Sequence, residues 1–189
     1  MKDEITIGNQ VWHSENLNVD KFRNGDPIPE TRTFEEWKLA GENKQPAWCY
    51  YDNDSSNGVK YGKLYNWYAA NDKRGLAPSG WHIPSHAEWS TLFEYLGGQN
   101  EAGKRMKSPT GWTDYETEVK SSGFNGLPGG VRHPQAGFRN ITHNCEFWSC
   151  TNNKEFPESV CYIDLNIYDD IYRNECSADA GLYVRCIKD

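Results

Sequence analysis

Six cysteines and five histidines are the side chains with the widest chemical range in this 189-residue chain. His143, Cys145 and Cys150 lie near one another in sequence, and Cys161 or Cys176 would complete a tetrahedral zinc set with them. Zinc sites favour tight pairs such as C-x2-C, which this sequence lacks, so sporadic thiols or one disulfide fit the spacing better. Cys49, within the aromatic run Trp48-Cys49-Tyr50-Tyr51, reads as a packed thiol, since free cysteine is among the most buried residue types. His82 and His86 are four residues apart but straddle the helix start at Pro84-Ser85, so they share no helical face. Asp52, Asn53, Asp54, Ser55 and Asn57 offer oxygen ligands. No glutamate closes that stretch as an EF-hand requires, and turn chemistry accounts for the same residues. No phosphate-cradling glycine loop or Ser-His-Asp arrangement can be argued from spacing, so no catalytic residue is expected.

The C-terminal third offers a candidate recognition face, although bare alternation favours an ordinary solvated one. Cys161, Ile163, Leu165 and Ile167 alternate with Tyr162, Asp164, Asn166 and Tyr168, which puts the two sets on opposite faces of a strand. Asp169-Asp170 reads as a turn, and Ile171 to Cys176 as the returning strand, adding Tyr172 and Asn174 to the polar face. Tyrosine supplies contact area at low entropic cost, and Asn and Asp supply adaptable hydrogen bonds. The expected ligand contacts are therefore His143, Asn144, Glu146, Tyr162, Asp164, Asn166, Tyr168, Tyr172 and Asn174. An ordinary solvated sheet face is the plainer alternative for the same residues.

The elements that must hold this face are few. Thr33-Phe34-Glu35-Glu36 is a capping box that starts a helix over Trp37 and Ala40, stopped by Gly41. Ser85 and Glu88 form a second box ahead of Trp89, Leu92, Phe93 and Leu96, an apolar stripe at i, i+3, i+4 and i+7 that ends at Gly97-Gly98. Leu64–Ala70 and Glu101–Lys107 are weaker helical candidates. Glu4–Val11 reads as an opening strand turning at Gly8-Asn9, and Leu182, Val184 and Cys186 as a closing one. Asp52–Gly58 and Gly123–Gly137 read as loops. Aromatic residues make up 14% of the chain, with 8 Trp and 11 Tyr, which argues for a folded core built from large rings. A net charge of −7 with no basic cluster speaks against nucleic acid and anionic membrane surfaces as partners. No apolar stretch is long enough for membrane insertion, and the charged start Met1-Lys2-Asp3-Glu4 contains no signal-peptide core.

Several short motifs recur in a recognisable order. They are Ile7-Gly8-Asn9-Gln10-Val11-Trp12 with Glu15-Asn16-Leu17-Asn18, and Tyr61-Gly62-Lys63-Leu64-Tyr65-Asn66-Trp67-Tyr68-Ala69. Gly80-Trp81-His82-Ile83-Pro84-Ser85, Leu127-Pro128-Gly129-Gly130, Phe147-Trp148-Ser149 and Val184-Arg185-Cys186 follow. In this order the chain resembles the Fibrobacter succinogenes major paralogous domain family over nearly its whole length. The resemblance implies a C-type-lectin-like fold, a superfamily that also serves formylglycine-generating enzymes and the variable proteins of diversity-generating retroelements. The expectation is one α+β domain over residues 1–189, with small twisted antiparallel sheets, two main helices, long irregular loops and adjacent termini. The opening strand would pair with Leu182–Ile187, and the ligand-display region would cover about 131–181.

By the same resemblance the protein would be extracellular or at the cell surface, with a protein or glycan ligand, while the residues alone leave a cytoplasmic setting open; no cofactor is expected. Calcium enters as a candidate only because related folds bind it. Two other readings stay open. Cys145 and Cys150 have the separation of the paired thiols of formylglycine-generating enzymes but lack their Gly-Gly-Ser-Trp context, and Glu146 sits beside Cys145. A structural surface or adhesion component is the third. The chain departs from the family pattern after Phe138, where Gly is favoured near Thr142 and Cys145 and Ser at Cys150. Asn, Asp, Tyr, Ser and Cys crowd Tyr162–Asp179, as adenine-directed diversification of Asn codons would leave them.

Overall fold

A computed structural model describes residues 4–113, 121–152 and 159–189 of the chain. Residues 153–158 of the expected display region lie outside the described residues. The architecture is α+β, with helices packed among three small sheets.

Local chemistry sets the helices. Both capping boxes form: Glu36 N donates to Thr33 Oγ1 at 3.1 Å ahead of α1 (Phe34–Glu42), and Glu88 N donates to Ser85 Oγ at 3.3 Å ahead of α4 (His86–Tyr95). The α4 stripe is inside, with Trp89, Leu92, Phe93 and Leu96 all buried. Each such side chain contributes roughly 2 kcal/mol of apolar burial. Glu101–Lys107 is realised as α5 (Gln99–Met106). Leu64–Ala70, however, is not one helix. Asn66 takes an extended ψ of 166° and caps α3 (Trp67–Ala70) by accepting from Ala69 N, which leaves β4 (Leu64–Tyr65) to pair with β3 (Trp48–Cys49). The Asp52–Gly58 stretch is not a plain loop either. Asp54 accepts from Ser56 N at 2.9 Å and starts α2 (Ser55–Tyr61).

The first sheet orders β1 (Glu4–Ile7), β2 (Gln10–His13), β11 (Ile187–Lys188) and β5 (Trp81–His82), with β11 between β2 and β5. The opening hairpin therefore pairs with the closing strand, through Ile187 opposite Trp12. A 2.9 Å ion pair from Lys188 to Glu4 places the two ends side by side. The closing strand is shorter than expected because its residues serve three partners. Leu182 bridges Tyr65, Tyr183 bridges Phe147, and Cys186 O accepts from His13 N at 3.0 Å.

The second sheet orders β10 (Ile171–Ser177), β9 (Ser159–Asn166), β8 (Asn144–Asn152), β6 (Gly129–His133) and β7 (Gly137–Ile141). Part of the stretch read as the Gly123–Gly137 loop is thus strand. The sheet is also not wholly antiparallel, since Gly130 on β6 pairs in parallel with Cys145 on β8. Glycine is required there: Gly130 has φ +72°, and a Cβ would sit 2.5 Å from Arg139 O. Several motif residues turn out to be internal fasteners. Arg185, buried against Phe124 and Phe147, donates to Asn16 Oδ1 at 2.8 Å and to His13 O at 3.1 Å. Trp148 Nε1 donates to Tyr65 O at 2.8 Å.

Candidate ligand-binding face

The register of the five-stranded sheet decides which side chains share a face. Glu146 on β8 stands opposite Asp164 on β9, and Asp164 stands opposite Tyr172 on β10. The next row is Trp148, Tyr162 and Asn174, and the row beyond Glu146 is Asn144 and Asn166. The other face carries Cys145, Phe147, Ile163, Leu165 and Ile171, all buried in one core cluster. That separation follows from the period of two.

Eight of the nine expected residues therefore belong to one strip or its end turn, and they differ in exposure. From Tyr162 to Asn166 the strip runs about 13 Å along β9 and is three strands, or roughly 10 Å, wide. Tyr168 is the most exposed at 64%, followed by Tyr172 at 39%. Asn166 is buried, contrary to its expected outward position. Its amide donates to Asp164 Oδ2 at 3.2 Å while its carbonyl accepts from Tyr168 N at 2.9 Å, so it serves the turn. Tyr162 is half-buried, because its ring packs against the second core cluster that holds Trp148, Val160 and Leu182. His143 stands apart on the β7–β8 turn, with Nδ1 3.0 Å from Ile141 O. The β9–β10 turn is pinned from α5 by a bond from Lys107 Nζ to Tyr168 O.

One end of the strip opens into a cavity of about 580 Å³. Glu146, Tyr162 and Cys176 line it from the sheet, Arg139 and Asn140 from β7, and Asp179 from the loop after β10. The β6–β7 wall was missed in the sequence. The signal that could have found it is Pro134-Gln135-Ala136-Gly137, a turn between Val131/His133 and Phe138. Burial, reinforced by Asp164, pushes the Glu146 carboxyl up to about 8. Burial raises the Asp164 carboxyl as well, against hydrogen bonds from Asn166 and Asn144, the latter at 3.1 Å. Burial also raises the Tyr162 phenol. Near neutrality the floor of the cavity is thus a protonated carboxyl beside an intact phenol, both able to donate hydrogen bonds.

The family profile described as Fibrobacter succinogenes major domain matches residues 5–188. The chain belongs to this family. No curated protein and no solved structure matches it. Asn16, Asn66, Trp148 and Arg185, which belong to the motifs that carry the resemblance, all lie in the scaffold.

The remaining candidates have identifiable local roles. Cys145 faces the core, where burial pushes its thiol up to about 12, whereas Cys150 is exposed. They stand five positions apart on β8, at most about 16 Å in extended strand, and on opposite sides of it. Cys49 and Cys186 are buried free thiols in different core clusters. Asp52 and Asn53 have φ of 53° and 55°, and Asn57 Nδ2 donates to Tyr51 O at 3.0 Å, so turn and cap chemistry accounts for this segment. No three His, Cys, Asp or Glu side chains group as metal ligands among the described residues. His82 instead lies between Glu88 Oε1 at 2.7 Å and Asp189 Oδ1 at 2.8 Å. No helix among the described residues is long and apolar enough to cross a membrane.

Proposed function

We propose that this chain is a non-catalytic recognition module on a C-type-lectin-like scaffold, holding a protein or glycan ligand on the outer face of β8, β9 and β10. The observation that carries the reading is the division of labour along β9. Ile163 and Leu165 lock the strand to the core while Tyr162, Asp164 and Tyr168 stand on or above the other side. Such a strand tolerates change in its outward residues without losing its docking. This also suits retroelement diversification and an exported, surface setting. The oxidase alternative draws no support from the thiols, since Cys145 and Cys150 are too far apart to act together and burial holds Cys145 protonated.

The test is a screen of the immobilised protein against displayed protein and glycan libraries, followed by Tyr168→Ala and Tyr172→Ala. Either change should weaken a selected ligand by roughly 1–3 kcal/mol while leaving the thermal midpoint nearly unchanged. Ligands lost instead on substitution in Asp52–Gly58 would move the site. A protein that selects nothing from either library would point to a structural surface component.

A further inference from the structure

We infer that the scaffold holds a small carboxylate ion, of formate or acetate size, in a polar cavity beside the buried Arg185. None of the nine residues expected to contact a ligand lines this cavity, so the inference stands apart from the recognition face.

The first support is a buried cation without a counter-ion. Arg185 is 1% exposed and makes no ion pair among the described residues. Its acceptors are all neutral. Asn16 Oδ1 lies 3.1 Å from Nε and 2.8 Å from Nη2, His13 O lies 3.1 Å from Nη1, and Phe124 O takes the other Nη1 proton. Four of the five guanidinium N–H donors are thus used, and one remains on Nη2. A buried charge is ordinarily paired, because it has lost its hydration. Burial accordingly pushes the Arg185 guanidinium down to about 10. Asn16 stands where an aspartate would neutralise it, and the Asn16 amide is committed to Tyr61 O at 2.9 Å.

The second support is the space beside that cation. A cavity of about 90 Å³ is lined by Arg185, Asn16, Asn18, Gly62 and Asn125 among others, which is room for several waters or one ion of acetate size. Gly62, just after α2, closes one wall at φ +82°, where a Cβ would meet Leu17 O at 3.0 Å. Only backbone fits between α2 and the Asn16 segment. Among the lining residues Arg185 and Lys60 face a single acid, Glu15, which leaves one surplus positive charge. A monovalent anion balances that surplus, whereas a phosphate overshoots it. Glu15 and Lys60 are both exposed, so the cavity is reached from solvent. Lys63, next to Gly62, is buried as well and donates to Asn18 Oδ1 at 3.0 Å. That second cation raises the potential at the same end, where the low dielectric strengthens it. The two oxygens of a carboxylate can take the Nη2 proton and a second lining donor together, which a spherical halide cannot.

The test is a proton–nitrogen NMR titration of the labelled protein with sodium formate, acetate and butanoate, each against sodium chloride at equal ionic strength. Formate and acetate should move the Arg185 Nε, Asn16 Nδ2 and Gly62 amide signals saturably. Butanoate, too long for the cavity, should not. Two changes at the exposed rim should act in opposite directions with amide dispersion unchanged. Lys60→Gln should weaken acetate about threefold, and Glu15→Gln should tighten it by a similar factor. Asn16→Asp, which supplies the counter-ion from the chain itself, should abolish the response. A cavity that holds water alone gives no shift with either ion, and that result overturns the inference. So does chloride moving the same signals as strongly as acetate, or a response that survives all three substitutions unaltered. If Glu15 is itself the counter-ion, acetate acts only on Glu15→Gln, and the silence of the wild type again refutes the site.

Discussion

Glu146 couples the stability of this fold to pH in the direction opposite to most carboxylates. Its carboxyl is held near 8 in the folded chain, against an ordinary value of 4.5. Between those values the folded protein holds a proton that the unfolded chain has released. Stability therefore falls as pH rises through that window and is unaffected by this group below it. At about 1.4 kcal/mol per pH unit the ceiling is ~5 kcal/mol. Relaxation and water entry around a half-buried group reduce this to about 2 kcal/mol as a working expectation. Glu146→Gln keeps the shape and removes the titration. Urea unfolding at pH 5, 6.5 and 8 should show wild type losing about 2 kcal/mol relative to this variant between the lowest and highest pH. Asp164→Asn should give part of the same relief, because Asp164 is one source of the shift. Parallel pH profiles for wild type and Glu146→Gln would refute the reasoning, as would a carboxyl signal titrating near 4.5.

Three further outcomes follow from the same geometry. Tyr162→Ala should cost about 2 kcal/mol of stability, because half its ring packs on the second cluster. Tyr168→Ala, at 64% exposure, should cost under about 0.5 kcal/mol, and chemical denaturation distinguishes the two. Gly103→Ala should destabilise by about 1–3 kcal/mol, since a Cβ on α5 would sit 2.4 Å from Asp169 O in the β9–β10 turn. Amide shifts at Tyr168 and Asp170 should report the displaced turn. For His82, burial opposes the charged form, but the bonds to Glu88 and Asp189 outweigh it and raise the imidazole above 6.5. The stability it adds is present below 6.5 and lost as pH rises through the higher folded value, and His82→Gln should abolish that part of the profile.

Much of the scaffold was legible because its signals are local. A capping box needs only residues three apart, so α1 and α4 were readable at their starts, and the stripe from Trp89 to Leu96 named its own buried face. The period of two along β9 likewise separated Ile163 and Leu165 from Tyr162 and Asp164. Alternation says which residues share a side and nothing about what covers that side. Asn166 is buried with its amide bonded to Tyr168 N and Asp164, and Tyr162 is half-buried because it packs against the cluster that holds Trp148 and Leu182.

The cavity is wholly a tertiary product. Arg139, Glu146, Tyr162 and Asp179 come from β7, β8, β9 and a loop, and no spacing relates them. The same holds for the carboxyl pair. Eighteen positions separate Glu146 from Asp164 in the chain, and only the β8–β9 register sets them opposite one another, where burial and the neighbouring Asp164 push the Glu146 carboxyl up. By itself the sequence determined the starts of α1 and α4, the alternation along β9 and the family. The tertiary structure decided which outward residues are reachable and which carboxyls meet, because solvation and electrostatics depend on neighbours that strand pairing brings together.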